Sequence, residues 1–200
     1  MSKLIINNLS CQRGYKLLFE NLSFELNSGE VLKVSGPNGS GKTSLMKILA
    51  GLSSFETGSI DYDDTKINSE RYNLDFLYLG HLAALSPELS CLENLKYTMR
   101  LGNDSLDLDF SDALKKVGLK KFENELVGKL SAGQKKRIAL SLLFITQSKV
   151  WLLDEPFSAL DSKAIKIIET RVEDHCNSGG ICILTTHQEC NIKNLKEISL

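Results

Sequence analysis

Gly36-Pro37-Asn38-Gly39-Ser40-Gly41-Lys42-Thr43 is the stretch of sequence that decides the fold. It matches the phosphate-binding P-loop, in which a glycine is followed by any four residues and then Gly-Lys-Thr. Residues 31–34 before it are typical of a strand, and residues 44–50 after it are typical of a helix. Glycines let the loop turn tightly, so that backbone N–H groups and the N-terminus of the helix can bind a polyphosphate. The stretch therefore predicts a strand, a loop and a helix that bind a nucleotide.

Two side chains of this loop carry specific chemistry. Lys42 can reach the β- and γ-phosphates of a nucleoside triphosphate, and the Thr43 hydroxyl can ligate Mg²⁺. We therefore predict a site for ATP and Mg²⁺ whose loop residues are Gly36, Pro37, Asn38, Gly39, Ser40, Gly41, Lys42, Thr43 and Ser44.

A second motif consists of four apolar residues followed by two acids. Residues 150–153 read Val-Trp-Leu-Leu, and Asp154 and Glu155 come next. A buried strand that ends in carboxylates presents them in the crevice where α/β sheets bind ligands. Asp154 is the predicted partner of Mg²⁺ beside Thr43, and Glu155 is then free to orient and deprotonate an attacking water.

Composition suits one soluble α/β domain. The chain has 200 residues, and its net charge of −1 gives no electrostatic reason to expect a nucleic-acid partner. Its five cysteines show no metal-ligand spacing, so free thiols in a reducing compartment are expected. The strongest apolar run, residues 138–145, is about half of what a membrane span requires. Any work at a membrane therefore needs other chains to supply the membrane part.

The order of the patterns predicts an α/β core that carries an inserted helical segment. Short apolar runs at 4–6, 22–26, 59–62, 76–79 and 181–184 are typical of strands. From 90 to 147 the pattern is helical, with a long helix expected over 135–147. We predict a single nucleotide-binding domain over 1–200, with its core in 1–80 and 148–200 and a helical subdomain in 82–147. An ATPase and a P-loop kinase both fit these features.

A third motif separates these two enzyme classes. Leu130-Ser131-Ala132-Gly133-Gln134 begins the predicted helix with an N-cap serine and a small glycine, which together favour anion binding. The motif resembles the signature of ABC-type ATPases. In that family it completes the ATP site of the opposite subunit, so the resemblance implies a head-to-tail homodimer in which Ser131, Gly133 and Gln134 contact ATP. A P-loop kinase has no use for such a motif.

Two further segments resemble the same family. The segment 156–161 resembles the continuation of the carboxylate motif into the D-loop, and the resemblance implies that Asp161 makes contacts across the dimer. Thr185-Thr186-His187 resembles the end of the strand that carries the switch histidine. The resemblance therefore implies a catalytic set of Glu155, His187 and Lys42, in which His187 holds the attacking water in register. The implied fold is a P-loop NTPase core of the ABC-ATPase type, with an antiparallel β edge and an inserted helical subdomain.

Two positions depart from the family pattern. His81 stands where most ABC ATPases have a glutamine that senses Mg²⁺ and contacts the membrane partner. An imidazole can hydrogen-bond a water or ligate a metal, so we predict that His81 belongs to the metal site. The adenine-stacking position of the family falls on Arg13, with Tyr15 two residues on. Both planes can stack on a base, and the sequence does not choose between them.

The subfamily that these residues most resemble is CcmA, the ATP-binding subunit of the system for cytochrome c maturation. The resembling segments are 9–13, 18–24, 78–81, 92–95, 154–161 and 183–188. The resemblance implies peripheral attachment at the cytoplasmic side of the inner membrane, on membrane subunits resembling CcmB and CcmC. It implies haem export, or release of a haem chaperone, although no haem-ligating arrangement is present in the sequence. His81 and residues 90–121 are the predicted coupling surface.

Other readings of the same motifs remain. An ABC importer, or an exporter of other cargo, has the same enzymology. A soluble ABC ATPase acting on DNA or ribosomes usually carries two ATPase modules or long basic insertions, which this sequence lacks.

Overall fold

The computed structural model describes residues 2–66, 75–101 and 108–200. The strands are β1 (Lys3–Arg13), β2 (Lys16–Asn27), β3 (Val31–Ser35), β4 (Thr57–Tyr62), β5 (Thr65–Lys66), β6 (Phe76–Leu79), β7 (Val150–Asp154), β8 (Ile181–Thr185) and β9 (Leu195–Ser199). The α-helices of these ranges are α1 (Lys42–Leu49), α2 (Cys91–Leu101), α3 (Phe110–Lys116), α4 (Ala132–Ser141) and α5 (Ser162–Asn177). Short 3₁₀ turns follow at Val127–Lys129 and Leu142–Phe144.

The strands form two sheets of different kinds. An antiparallel sheet has the order β2-β1-β4-β5, and a parallel sheet has the order β6-β7-β8-β3-β9. The carboxyl ends of β3, β6, β7 and β8 therefore meet at one edge of the parallel sheet, where α/β folds bind ligands. The P-loop, His81, Glu155 and His187 follow these strands in the sequence, and Asp154 is the last residue of β7.

The central strands β7 and β8 are buried on both faces and divide the core in two. Alternate side chains of a strand point to opposite faces. Val150 and Leu152 pack with α1 and the antiparallel sheet, whereas Trp151 and Leu153 pack with α2 to α5. This is why an uninterrupted apolar run was needed at these positions, since neither face of the sheet meets water.

Every strand predicted from an apolar run is present at its expected place, but the sequence reading missed β5, β9 and α5. The helix predicted over 135–147 was wrong at its C-terminal end, because α4 stops at Ser141 and a 3₁₀ turn follows. The Thr146 hydroxyl accepts a hydrogen bond from the backbone N–H of Ser148, at 3.1 Å, in a turn that competes with helix. The division into core and helical subdomain stays a prediction, and its residues 1, 67–74 and 102–107 lie outside the described residues.

An aromatic stack ties α5 to β7 on the side of the sheet away from the P-loop helix. The rings of His175 and Trp151 are parallel to within 4°, with centroids 3.7 Å apart, and the Arg171 guanidinium lies 4.9 Å from the Trp151 ring. Gly180 leaves space for the imidazole, because a Cβ there would lie 2.2 Å from Nε2 of His175. Burial, reinforced by the charge of Arg171, lowers the pKa of His175 from 6.5 to about 4.

This stack makes stability depend on pH. Between pH 6.5 and about 4, the unfolded chain binds a proton at His175 that the folded chain does not, so the free energy of unfolding falls as pH decreases through this window. We expect a loss of about 3 kcal/mol from this group between neutral pH and pH 4. Urea unfolding at several pH values gives the free energy of unfolding as a function of pH. Between pH 6.5 and about 4 this free energy should change less with pH for His175→Phe than for the wild type. An equal pH dependence in the two proteins would contradict the assignment of this effect to His175.

Candidate functional site

The largest set of predicted site residues meets in one cavity of about 530 Å³. The cavity lies at the carboxyl edge of the parallel sheet, beside the N-terminus of α1. Its lining consists of Leu18, Asn38, Gly39, Gly41, Lys42, Thr43, Ser44, His81, Asp154, Glu155, Ser158 and His187. The structure thus brings the P-loop, the carboxylate motif, His81 and His187 together.

The P-loop needs glycine at its junction with helix α1. Gly41 precedes the helix with φ at 110°, a backbone conformation that residues other than glycine rarely adopt. A Cβ at this position would also lie 3.0 Å from the Cβ of Leu18 and 3.1 Å from the Phe19 ring. Strand β2 therefore packs directly on the loop, and the loop can wrap closely around an anion.

Lys42 is buried inside its own loop. Its ammonium group donates hydrogen bonds to the carbonyl oxygens of Gly36, at 2.7 Å, and Pro37, at 3.0 Å. An ammonium group has three donors, so one remains to face the cavity. The loop thus holds the lysine head beside the cavity that Lys42 lines, with one donor left for a phosphate.

Thr185 joins the two carboxylate residues at the end of β7. Its hydroxyl donates to Oδ1 of Asp154, at 2.8 Å, and accepts from the backbone N–H of Glu155, at 2.9 Å. Asp154 is only 1% exposed, and Glu155 has a φ of 50° in the left-handed region. Backbone strain of this kind at a non-glycine residue is found in turns and clusters at active sites. The turn aims Glu155 into the cavity.

The carboxylates also leave acceptor atoms available for a ligand. Within the described residues, Oδ2 of Asp154 and Oε1 of Glu155 are buried without a hydrogen-bond partner. Burying such an atom is costly unless a cation, a donor or a water satisfies it. The described residues contain no cluster of three or more His, Cys, Asp or Glu that could hold a metal by itself. A cation here would therefore need ligands from a substrate, as Mg²⁺ on a nucleotide does.

The two histidines of the cavity differ in what they contact. Nε2 of His187 lies 3.6 Å from Oε1 of Glu155, which is close enough for an ion pair when His187 is protonated but too long for a hydrogen bond. His81 is exposed and lines the cavity wall at the end of β6. Its role at the position of the usual glutamine stays a prediction.

The two residues predicted to stack on adenine do not line the cavity. The Arg13 guanidinium is held by the Ser53 hydroxyl and, at 3.1 Å, by the carbonyl oxygen of Ser54. Tyr15 is fully exposed at the tip of the hairpin between β1 and β2. Of the two, Tyr15 is the side chain that a base can approach without breaking a contact of this chain.

The signature residues lie outside the cavity as well. Ser131 caps α4 in a capping box with Gln134, because the Ser131 hydroxyl accepts from the N–H of Gln134 and the Gln134 side chain accepts from the N–H of Ser131. A Cβ at Gly133 would lie 2.7 Å from the carbonyl oxygen of Ala159, so the start of α4 packs on the turn that follows Glu155. Asp161 caps α5 and pairs with Arg137 of the same chain.

Several residues of the site belong to no motif and were missed by sequence reasoning. Lys16 of β2 donates to the carbonyl oxygen of Gly39, at 2.9 Å, and Leu18 and Ser158 line the cavity. Lys136 of α4 is buried behind the carboxylate turn. Lys136 stands between Lys135 and Arg137 in the sequence, so nothing there indicated that it is buried.

A parallel sheet with a P-loop, a carboxylate strand end, a histidine after the next strand and a capped signature helix defines an ABC-type ATP-binding protein. The ABC transporter family matches residues 19–158 of the chain. The curated relatives include the "Cytochrome c biogenesis ATP-binding export protein CcmA" of Haemophilus influenzae, which is 43% identical over 99% of this chain and 95% of that protein. The protein of the same name from Shewanella frigidimarina is 45% identical over 93% of this chain and 87% of its own length.

Solved structures share the fold. A putative ABC transporter ATP-binding protein from Pyrococcus furiosus superimposes with a TM-score of 0.86 at 23% identity, covering 99% of this chain and 97% of the other. A dimeric ATP-binding cassette bound to ADP and Pi gives a TM-score of 0.80 at 23% identity, covering 92% and 88%.

The chain belongs to the ABC transporter family as an ATP-binding ATPase of the CcmA group. This outcome confirms the predicted family and fold.

Proposed function

We propose that the chain is the ATP-hydrolysing subunit of an ABC exporter in cytochrome c biogenesis, coupling ATP hydrolysis to haem export or to release of a haem chaperone. The observation that carries this proposal is the meeting of Lys42, Asp154, Glu155 and His187 in one cavity, within a chain similar over nearly its whole length to export proteins of that system. ATP is the substrate of the site.

Mg²⁺ fits the residues present. Oδ2 of Asp154 is a buried acceptor in need of a partner, and the hydroxyl of Thr43 stands at the start of α1 on the same cavity. Asp154, directly or through water, and Thr43 would hold the ion together with phosphate oxygens. When bound, Mg²⁺ neutralises charge on the phosphates, and the protein groups do the rest.

Hydrolysis follows from the positions of three side chains. The P-loop amides and the free donor of Lys42 hold the γ-phosphate and stabilise the negative charge that develops on it. Glu155 accepts a proton from the attacking water, for which its unpartnered Oε1 is suited. His187, within 3.6 Å of that oxygen, fixes the direction of Glu155 and the water.

A second copy of the chain completes the site. Ser131, Gly133 and Gln134 lie at the N-terminus of α4 and outside their own cavity, so they are available to the γ-phosphate bound by a partner. In a two-fold, head-to-tail dimer each signature would cap the other subunit's P-loop. ATP binding then closes the dimer, and hydrolysis reopens it.

The membrane part of the exporter belongs to other subunits. None of the described helices is long and apolar enough to cross a bilayer. We propose peripheral attachment at the cytoplasmic side of the inner membrane, on subunits resembling CcmB and CcmC. Leu82, next to His81, and Tyr97 of α2 are large exposed apolar side chains on the predicted coupling segments.

Co-purification tests this function. Glu155→Gln chain with ATP and Mg²⁺ is expected to retain CcmB- and CcmC-like proteins from detergent-solubilised membranes, as identified by mass spectrometry. Lys42→Met serves as the control, since a chain that cannot bind ATP should retain less of both. Recovery of a permease for other cargo would overturn the assignment to cytochrome c biogenesis and leave the ATPase in place.

A further inference from the structure

A buried lysine lies beneath the catalytic turn, where none of the motifs accounts for it. Lys136 of α4 is 6% exposed, and its Nζ lies 3.4 Å from the carbonyl oxygen of Asp154. Lysine is rarely buried this deeply without partners that compensate the loss of water. Its partners therefore indicate why it is there.

The same ammonium group reaches a second segment of the site. It donates to the carbonyl oxygens of Gly80, at 3.3 Å, and His81, at 3.4 Å. All three donors of Lys136 are thus directed to backbone oxygens, two at the end of β6 and one at the end of β7. One side chain of the signature helix joins the two turns that present His81 and Glu155 to the cavity.

Electrostatics supports the same arrangement. Burial lowers the pKa of Lys136, whereas the negative charges of Asp154 and Glu155 act in the opposite direction and favour the ammonium form. Lys136 does not itself line the cavity. Its ammonium group contacts the peptide between Asp154 and Glu155 through the carbonyl oxygen of Asp154.

We infer that Lys136 is a positioning residue that transmits the position of the signature helix to the His81 turn and to Glu155. This inference rests on the proposed function, since it assigns Glu155 to the reaction. Ser131, where a partner's ATP would bind, is the N-cap of helix α4, and Lys136 lies on the second turn of that helix. A shift of α4 on dimer closure would move Nζ and, with it, the carbonyl oxygens that orient the two turns.

The test compares Lys136→Met with Lys136→Arg in ATPase assays of the full-length chain, with the membrane subunits present. Methionine keeps the apolar stem and removes the charge and the donors, whereas arginine keeps both. We expect Lys136→Met to lower kcat about 10- to 100-fold, the cost of a misplaced catalytic group, with KM for ATP changed less than about threefold. Lys136→Arg should recover most of the loss. Lys166→Met, on the exposed face of α5, is the matched control.

A second measurement separates positioning from general destabilisation. Because Lys136 acts through the His81 turn, His81→Ala should cost less in the Lys136→Met background than in the wild type. Additive losses, a rise of KM with kcat unchanged, or a wild-type kcat in Lys136→Met would each overturn the inference. If Lys136→Met does not fold, Lys136→Gln, which keeps one donor group, is judged by the same criteria.

The same assay distinguishes this inference from the proposed function. A wild-type rate in Lys136→Met together with an inactive Glu155→Gln overturns the role of Lys136 alone. A rate that survives Glu155→Gln overturns the proposed reaction, and the role of Lys136 with it.

Discussion

Glu155→Gln is expected to abolish steady-state ATP hydrolysis while the chain still binds ATP. The amide cannot accept the proton of the attacking water, so kcat should fall by about 10²- to 10⁴-fold, the usual contribution of a general base. The amide retains the size of the carboxylate, and the backbone N–H of residue 155 keeps its hydrogen bond to Thr185. The closed dimer should then accumulate when ATP is present. Size-exclusion chromatography with ATP, compared with a run without it, measures this accumulation.

Glu20→Gln is the matched control for this variant. Glu20 is exposed on β2, so the same chemical change should leave the rate unaltered. A Glu155→Gln chain that hydrolyses ATP at the native rate would show that another group is the base.

Lys42→Met should weaken ATP binding and remove most of the hydrolysis. The ammonium group is held by the carbonyl oxygens of Gly36 and Pro37, with one donor left for a phosphate. Losing a charged donor aimed at the transferring phosphoryl group costs about 10²- to 10³-fold in rate, and ATP binding weakens as well because the ground state uses the same contact. Equilibrium binding of a fluorescent ATP analogue and the ATPase rate measure the two effects.

The control for Lys42→Met lies one turn further along the same helix. Lys47 is exposed on α1, and Lys47→Met removes an equal charge without touching the loop. If Lys47→Met lost as much activity as Lys42→Met, the effect would be one of net charge rather than of the phosphate contact.

The fold could be predicted wherever burial or a special backbone left a pattern in the sequence. β7 and β8 are buried on both faces, so their apolar runs are uninterrupted, and the loop before α1 shows its glycines. β9 could not be predicted in this way, because it lies at the sheet edge and only Leu195 and Ile198 of its five residues are half-buried. The end of α4 was missed since the following 3₁₀ turn places Leu142 and Leu143 in the core at helix-like spacing.

Some residues of the candidate site could be predicted from the sequence, and others could not. Asp154 and Glu155 could be predicted because acids directly after a buried apolar strand are uncommon unless a ligand needs them. Lys16 and Lys136 could not, since each contacts backbone carbonyl oxygens of a segment distant in sequence. The pairing of Arg13 with Ser53 and Ser54 likewise depends on tertiary structure. The roles of the predicted site residues stay predictions until variants are measured.

The measurement that tests the shared ATP site most directly mixes two inactive variants. Lys42→Met disables the P-loop, and Ser131→Arg disables the signature. Loss of the Ser131 N-cap lowers the stability of the second variant by about 1 kcal/mol. In mixed dimers one of the two sites has an intact P-loop and an intact signature, so co-expression should restore about a quarter of the wild-type ATPase rate. A mixture that stays as inactive as either variant alone would contradict an ATP site built between two copies of the chain.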